Sequence, residues 1–184
     1  MSTPEEAIAL TRWWIERAVI GLNLCPFAKS VYVNEQIRYV VSDASTIDAL
    51  LADLQHELRR LITTDPNDVD TALLIHPHVL TEFLDYNDFL TVAEALVAEM
   101  DLSGVVQIAS FHPAYQFAGT EATDPTNNTN RSPYPMLHLL REASVQRAVD
   151  AFADTDSIYL KNLETMRRLG ASGWQALRVT PPTE

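Results

Sequence analysis

Histidines next to proline occur at two places in the sequence and are its clearest candidates for chemistry. His76-Pro77-His78 follows one apolar run, and His112-Pro113 follows another. An imidazole titrates near physiological pH, so it can act as a general base or as a metal ligand. In an extended backbone, His76 and His78 would lie on the same face, a spacing suited to metal coordination. The alternative is that Pro77 distorts this spacing and one histidine bonds the backbone.

A divalent metal ion is the cofactor that this pattern could hold. His76, His78 and His112 would supply the nitrogen ligands, and the acidic, lysine-free surroundings would favour a cation. The oxygen ligand would come from an aspartate: Asp43, Asp85 or Asp88. A non-catalytic metal-binding or ligand-sensing module built on the three histidines is therefore one hypothesis for the function.

A catalytic function is the leading hypothesis. Cys25 is the only cysteine, which excludes an intrachain disulfide and a cysteine-based zinc cage. A lone thiol becomes a nucleophile when a histidine holds it as thiolate, whereas a buried free cysteine is inert. We expect a small enzyme that performs hydrolysis or group transfer on a small molecule. Cys25 or a metal-bound water would be its nucleophile, and His112 its base.

A long segment without clear periodicity, Phe111 to Pro135, carries further candidate residues. Loops of this length inside compact domains are commonly functional. Asn130 and Arg131 would orient or stabilise an anionic group. Arg131 could equally neutralise Glu121 or Asp124. Three side chains would line the pocket unless they only pack the loop: Tyr115, Gln116 and Tyr134.

The elements that must position these residues alternate between strands and helices. The strands are predicted at Ile37–Val41, Thr71–Ile75 and Gly104–Ala109. The first helix begins with a capping box of Thr3 and Glu6 and ends at Gly21. Later helices are predicted from Ser45 to Ile62, Thr81 to Met100, Met136 to about Phe152, and Asp156 to Leu169 with Gly170 as the stop.

This order predicts an α/β fold with a β-α-β-α-β core and a largely parallel sheet. Ligands bind beyond the carboxyl ends of parallel strands, so the polar groups after the three strands should meet at one edge. In the helix from Thr81, we expect an inward apolar face of Leu84, Phe89, Val92, Ala93, Leu96 and Val97. His138, between two leucines, is expected to pack within a helix rather than to act in catalysis.

The acidity of the chain is concentrated in its middle. The 184 residues carry a formal charge of −12, and the segment from Leu61 to Asn130 contains no Lys or Arg. An acidic balance argues against binding nucleic acid or an anionic membrane through bulk charge. A docking face for a basic partner is a third hypothesis for the function. We expect a small-molecule ligand, and the oligomeric state stays open.

Length and composition favour one globular domain over residues 1–184, with a loose tail from about residue 180. The first six residues lack the layout of a signal peptide, and no apolar run approaches the ~20 residues of a membrane span. These features predict a cytoplasmic protein.

Four runs of sequence resemble a known family: GLNLCPFA (21–28), IHPH (75–78), SFHPAYQFAGT (110–120) and NRSPYPMLHLLRE (130–142). The family is mainly bacterial and catalogued only as a domain of unknown function. The resemblance extends from about Arg12 to Val149. It implies a single domain and directs attention to these four runs, without implying an activity.

Overall fold

The first helix begins as its capping box predicts. The computed structural model describes residues 3–151 and 156–180, and the predicted loose tail, Pro181 to Glu184, lies outside them. The Thr3 hydroxyl accepts the Glu6 N–H, and the Glu6 carboxylate accepts the Thr3 N–H at 2.8 Å. Helix α1 (Pro4–Trp14) follows, with proline in its first turn. Both hydrogen bonds join residues that are three apart in the chain, so the capping box can be recognised from the sequence alone.

Helix α1 continues as one π-helical segment, Ile15–Ile20, which ends at Gly21. A Cβ atom at Gly21 would lie 2.4 Å from the carbonyl oxygen of Arg17, so the turn needs a residue without a side chain. The predicted glycine stop is confirmed. The short helix α2 (Ala28–Val33) then leads into the sheet.

The sheet has four strands in the order β1-β2-β4-β3. They are β1 (Ile37–Val41), β2 (Thr71–Ile75), β3 (Val106–Phe111) and β4 (Met136–Arg141). The bounds predicted for β1 and β2 are confirmed, and both strands run parallel. The expectation of a largely parallel sheet is wrong, because β4 lies antiparallel between β2 and β3. The α/β class holds.

Strand β4 replaces the first part of the helix predicted from Met136 to about Phe152. Only Glu142–Asp150 is helical, as α5. Leu137 and Leu139 are buried at 0% exposure, and both sides of the strand are hydrogen-bonded to neighbours. Pairing with two strands satisfies the backbone and overrides the helix preference of leucine and methionine. His138 therefore lies in a central strand, not in a helix.

Helices α3 (Ile47–Thr63) and α4 (Phe83–Glu99) cover one face of the sheet. The cap of α3 is Thr46, one residue later than predicted. The expected inward face of α4 is wrong at two positions, since Leu84 is 75% and Val92 45% exposed. Tyr86 is buried there instead, because it lies on the same face of the helix as Phe89 and Ala93, and this face packs on the sheet.

The first helix and α6 (Asp156–Ala176) cover the other face, where Trp14, Ile75 and Met166 pack in a second cluster. Gly170, with φ 63°, kinks α6, so the predicted stop is a break in the helical path rather than its end. Among the described helices, none has the length and apolar character required to cross a membrane.

Candidate functional site

The two predicted histidine sites meet at one edge of the sheet. Although β4 is antiparallel, β1, β2 and β3 all run in the same direction, because β4 opposes both β2 and β3. Their carboxyl ends therefore share an edge. His76 follows β2, and His112 follows β3. Both are buried, at 0% and 1% exposure, on the face covered by α4.

His76 has one occupied and one free ring nitrogen. Its Nδ1 lies 2.9 Å from the Val79 carbonyl oxygen, which can only accept, so Nδ1 carries the proton. In the neutral ring, Nε2 is then a bare acceptor, and it is buried without a hydrogen-bond partner. Burial lowers the pKa of His76 to about 4, against the opposing effect of the Val79 carbonyl. His76 is therefore an uncharged base at neutral pH.

Tyr86 of α4 stands between the two histidines. Its ring stacks on His76, with centroids 5.8 Å apart, and lies 5.1 Å from the ring of His112. Its hydroxyl donates to the Met136 carbonyl and accepts the N–H of Phe111. Tyr86 thus ties α4 to the ends of β3 and β4 and supplies one wall of the site.

Both ring nitrogens of His112 are occupied by backbone groups. Nδ1 accepts the N–H of Ala114 at 3.0 Å, and Nε2 donates to the Leu80 carbonyl at 3.2 Å. Burial lowers the pKa of His112, while the Leu80 carbonyl acts in the opposite direction. With no free lone pair, His112 in this geometry holds the chain in position and does not offer a base.

The turn after β2 separates His76 from His78. Pro77 and His78 lie in a turn rather than in an extended strand, and His78 is exposed while His76 is buried. The alternative that Pro77 distorts the spacing therefore describes the observed geometry. Within residues 3–151 and 156–180, no three His, Cys, Asp or Glu side chains form a group that could hold a metal ion.

Asn130 is hydrogen-bonded to the end of β3, and Arg131 to groups of its own loop. The Asn130 amide donates to the Ser110 carbonyl at 3.1 Å. The Arg131 guanidinium donates to the carbonyls of Tyr115 and Ala122 and to the Asn128 side chain. The carboxylates of Glu121 and Asp124, which were predicted as alternative partners of Arg131, are not among these contacts. Burial also lowers the pKa of Arg131. Both side chains stabilise the loop in this conformation.

The three predicted pocket-lining residues lie at different places. The ring of Tyr115 packs on Phe83, with centroids 5.1 Å apart, and so adjoins His112. The Gln116 amide donates to the Thr120 carbonyl within the loop. Tyr134 packs on the opposite face of the sheet, against the second apolar cluster. Of the three, Tyr115 is the one that the fold brings beside the histidines.

In the described part of the chain, the hydrogen bonds and ring contacts of His76 and His112 do not involve Cys25. Its neighbour Leu24 is buried in the cluster on the opposite face of the sheet. Burial raises the pKa of the Cys25 thiol, although the N–H groups of Phe27 and Ala28 oppose this effect. A raised pKa keeps the thiol protonated, which disfavours a nucleophilic role.

His138 is a third histidine held by the fold, on β4, and its side chain is partly buried. Thr71 donates its hydroxyl proton to the Leu139 carbonyl and lies 2.7 Å from Nε2 of His138. His138 therefore donates from Nε2 to that hydroxyl. Burial lowers the pKa of His138 to about 4. The predicted packing role agrees with this arrangement, although in a strand.

Two cavities open on the α3–α4 side of the sheet. One, of about 490 Å³, adjoins the end of β1, where the Ser42 hydroxyl lies 2.5 Å from a carboxylate oxygen of Asp53. The other, of about 590 Å³, lies between α3 and α4, and Val79 and Leu80 form part of its lining. The carbonyls of these two residues hold His76 and His112, and Leu80 has φ 56°, in the left-handed region.

Sequence reasoning missed two residues that organise the site. Tyr86 carried a readable signal, since it precedes Phe89 and Ala93 at helical spacing. Asn127 is buried at 0% exposure, and its side-chain oxygen accepts the Phe117 N–H while its amide donates to the Glu121 carbonyl. No local pattern identifies Asn127, because its partners depend on the path of the whole loop.

Comparison with known proteins identifies a family. A family model described as "Protein of unknown function (DUF1415)" matches residues 6–176, so the chain belongs to that family. This membership confirms the resemblance carried by the four sequence runs. Neither the curated proteins nor the solved structures include a significant match.

Proposed function

We propose that this member of the DUF1415 family binds a small molecule at the carboxyl edge of β2 and catalyses hydrolysis or group transfer on it. One observation carries the proposal: Nε2 of His76 is buried and has no hydrogen-bond partner. Leaving such an atom unpaired costs about 1–3 kcal/mol of stability. A ligand that donates a hydrogen bond from O–H or N–H would satisfy it.

His76 has the features of an oriented general base. The hydrogen bond from Nδ1 to the Val79 carbonyl selects the tautomer in which Nε2 carries the lone pair. Nε2 would take the proton of a water or a substrate hydroxyl while that oxygen attacks the substrate and the leaving group departs with its electron pair. Burial, the larger effect, opposes the resulting imidazolium, while its bond to the Val79 carbonyl favours the charged form.

This proposal changes the roles expected from the sequence. His76 replaces His112 as the base, because both nitrogens of His112 are engaged by backbone groups. His112 becomes a positioning residue, together with Asn130 and Arg131. Cys25 is left out, since burial raises the pKa of its thiol and its neighbour packs on the other face. An organic ligand is favoured over a metal ion, because His78 is exposed and His112 has no lone pair to offer.

Diethyl pyrocarbonate, which acylates unprotonated imidazole nitrogens that it can reach, tests whether His76 is accessible to a small molecule. Peptide mass spectrometry of the folded protein should show rapid modification of exposed His56, slower modification of His76, and none of His112. His112 is the matched control, since it is as deeply buried as His76 but both of its ring nitrogens are hydrogen-bonded to backbone groups. Modification of His56 alone would identify His76 as a closed core residue and overturn the proposal.

Catalysis is tested with a panel of p-nitrophenyl esters and p-nitrophenyl phosphate. We expect turnover that is lost in His76→Gln and retained in Cys25→Ser. Equal turnover in His76→Gln and the parent protein would contradict the role of His76 as base. Loss in Cys25→Ser alone would restore the thiol as nucleophile.

A further inference from the structure

The groove between α3 and α4 combines apolar side chains with carboxylates. Its apolar lining includes buried Val79, Leu80 and Phe89 and exposed Ile47 and Val92. Ile47 is 46% and Val92 45% exposed. Large apolar side chains scattered singly on a surface need no explanation, but a contiguous group that lines a groove marks an interaction site.

One face of α4 extends this surface. Leu84, Asp88 and Val92 follow each other at intervals of four residues, so they lie on the same side of the helix. Leu84 is 75% exposed, which leaves an apolar side chain in solvent on each side of Asp88. Ile47, Leu84 and Val92 are not part of the core cluster that α3 and α4 form with the sheet, whereas the buried lining residues of the groove are.

The charge of the groove has one sign. Glu82, Asp85 and Asp88 line it, and among the residues that the structure describes no Lys or Arg does. Within the described part of the chain, the ion pairs do not involve these three carboxylates. Most of the lining comes from the segment between Leu61 and Asn130, which contains neither Lys nor Arg. The negative charges are therefore available to an external cation.

We propose that this groove is a docking surface for a basic, amphipathic helical segment of a partner protein. A helix in a groove presents apolar side chains at intervals of three and four residues to the floor. Lysine and arginine at the edges of such a segment would pair with Asp85, Asp88 and Glu82. A second copy of this chain is a poorer occupant, because each copy carries a charge of −12.

The proposal is tested with an 18-residue synthetic peptide of leucine and lysine whose leucines follow a helical spacing. A peptide of the same composition without that spacing, and one with glutamate for lysine, are the controls. Fluorescence anisotropy measures affinity, and ¹⁵N NMR maps the contact on full-length protein. We expect the amphipathic basic peptide to bind and to shift the resonances of residues 45–47 and 79–92, more weakly as salt is raised.

Two variants separate the charge from the apolar surface. The first variant combines Asp85→Lys with Asp88→Lys, and the second is Val92→Ser. Each should weaken binding of the amphipathic basic peptide at least tenfold. The control is Glu99→Lys combined with Asp101→Lys, at the far end of α4, which should leave the affinity within twofold. Circular dichroism melting verifies that each variant is folded.

Several outcomes would overturn the proposal. If the peptide does not bind, or shifts resonances elsewhere, the groove is not a docking surface for such a helix. If the peptide without helical spacing binds equally well, the carboxylates attract any polycation. If light scattering after size exclusion shows a dimer that Val92→Ser dissociates, the occupant is a second copy of the chain.

Discussion

The phenol of Tyr86 donates a hydrogen bond of 2.8 Å to the carbonyl oxygen of Met136, which joins α4 to the first residue of β4. The phenolic oxygen of Tyr86 in turn accepts the N–H of Phe111 at 3.0 Å. Phe111 and Met136 are register partners in neighbouring strands. One buried hydroxyl therefore satisfies two backbone groups where the sheet ends and the candidate site begins.

Removing this hydroxyl should destabilise the protein. Tyr86→Phe keeps the ring but removes the hydroxyl that is hydrogen-bonded to the Met136 carbonyl and the Phe111 N–H. This loss should lower the free energy of unfolding by about 1–3 kcal/mol. Urea denaturation followed by circular dichroism measures the change. Tyr159→Phe, at a residue that is 61% exposed, is the matched control. Equal midpoints for the two variants would show that the hydroxyl contributes nothing.

Asn127 should be essential to the order of the long loop. Asn127→Ala removes the acceptor of the Phe117 N–H and the donor to the Glu121 carbonyl, and a cost of about 1–3 kcal/mol is expected. Hydrogen exchange should then accelerate across residues 115–130. Thr123→Ala, at an exposed position of the same loop, should leave exchange unchanged. Acceleration confined to residue 127 would contradict a role in ordering the loop.

Gly21 should not tolerate a side chain. In Gly21→Ala the new Cβ would lie 2.4 Å from the Arg17 carbonyl oxygen, so the backbone of the π-helical segment must shift. Overpacking of this kind costs typically about 1–3 kcal/mol. Thermal denaturation should show a lower Tm than in Ser30→Ala, which changes an exposed position of α2. A Tm equal to that of the parent protein would mean that the segment relaxes freely.

Buried histidines should make the stability depend on pH. Burial lowers the pKa of His138 from 6.5 to about 4, so the unfolded chain binds a proton at a higher pH than the folded protein does. The contribution of His138 is therefore complete above pH 6.5 and is lost as the pH falls toward 4. The slope from this one group is at most about 1.4 kcal/mol per pH unit.

Urea denaturation at several pH values between 7 and 4 measures this slope in each variant. His138→Gln should show a shallower decline than the parent protein, because its side chain does not titrate. His56→Gln, at a side chain that is 70% exposed, is the control for replacing one histidine by glutamine. An unchanged slope in His138→Gln would show that His138 takes up its proton as readily in the folded state as in the unfolded chain.

Local interactions explain what could be read from the sequence. The Thr3–Glu6 capping box and the helix end at Gly21 involve residues within one or two turns of each other. The strands Ile37–Val41 and Thr71–Ile75 are apolar runs with sharp polar boundaries. The meeting of His76 and His112 at one edge also followed from the order of strands and helices, because crossover helices make strands parallel.

Only the tertiary structure decided which strand lies between β2 and β3. Met136–Arg141 consists mostly of good helix formers, and its register partners are 25 or more residues away in sequence. Long-range backbone pairing outweighed local preference. The same holds for the site, where the backbone carbonyls of Val79 and Leu80 determine which histidine nitrogens remain free. The residue types at positions 76 and 112 determined that imidazoles were present; the fold determined that one of them keeps an unpaired nitrogen.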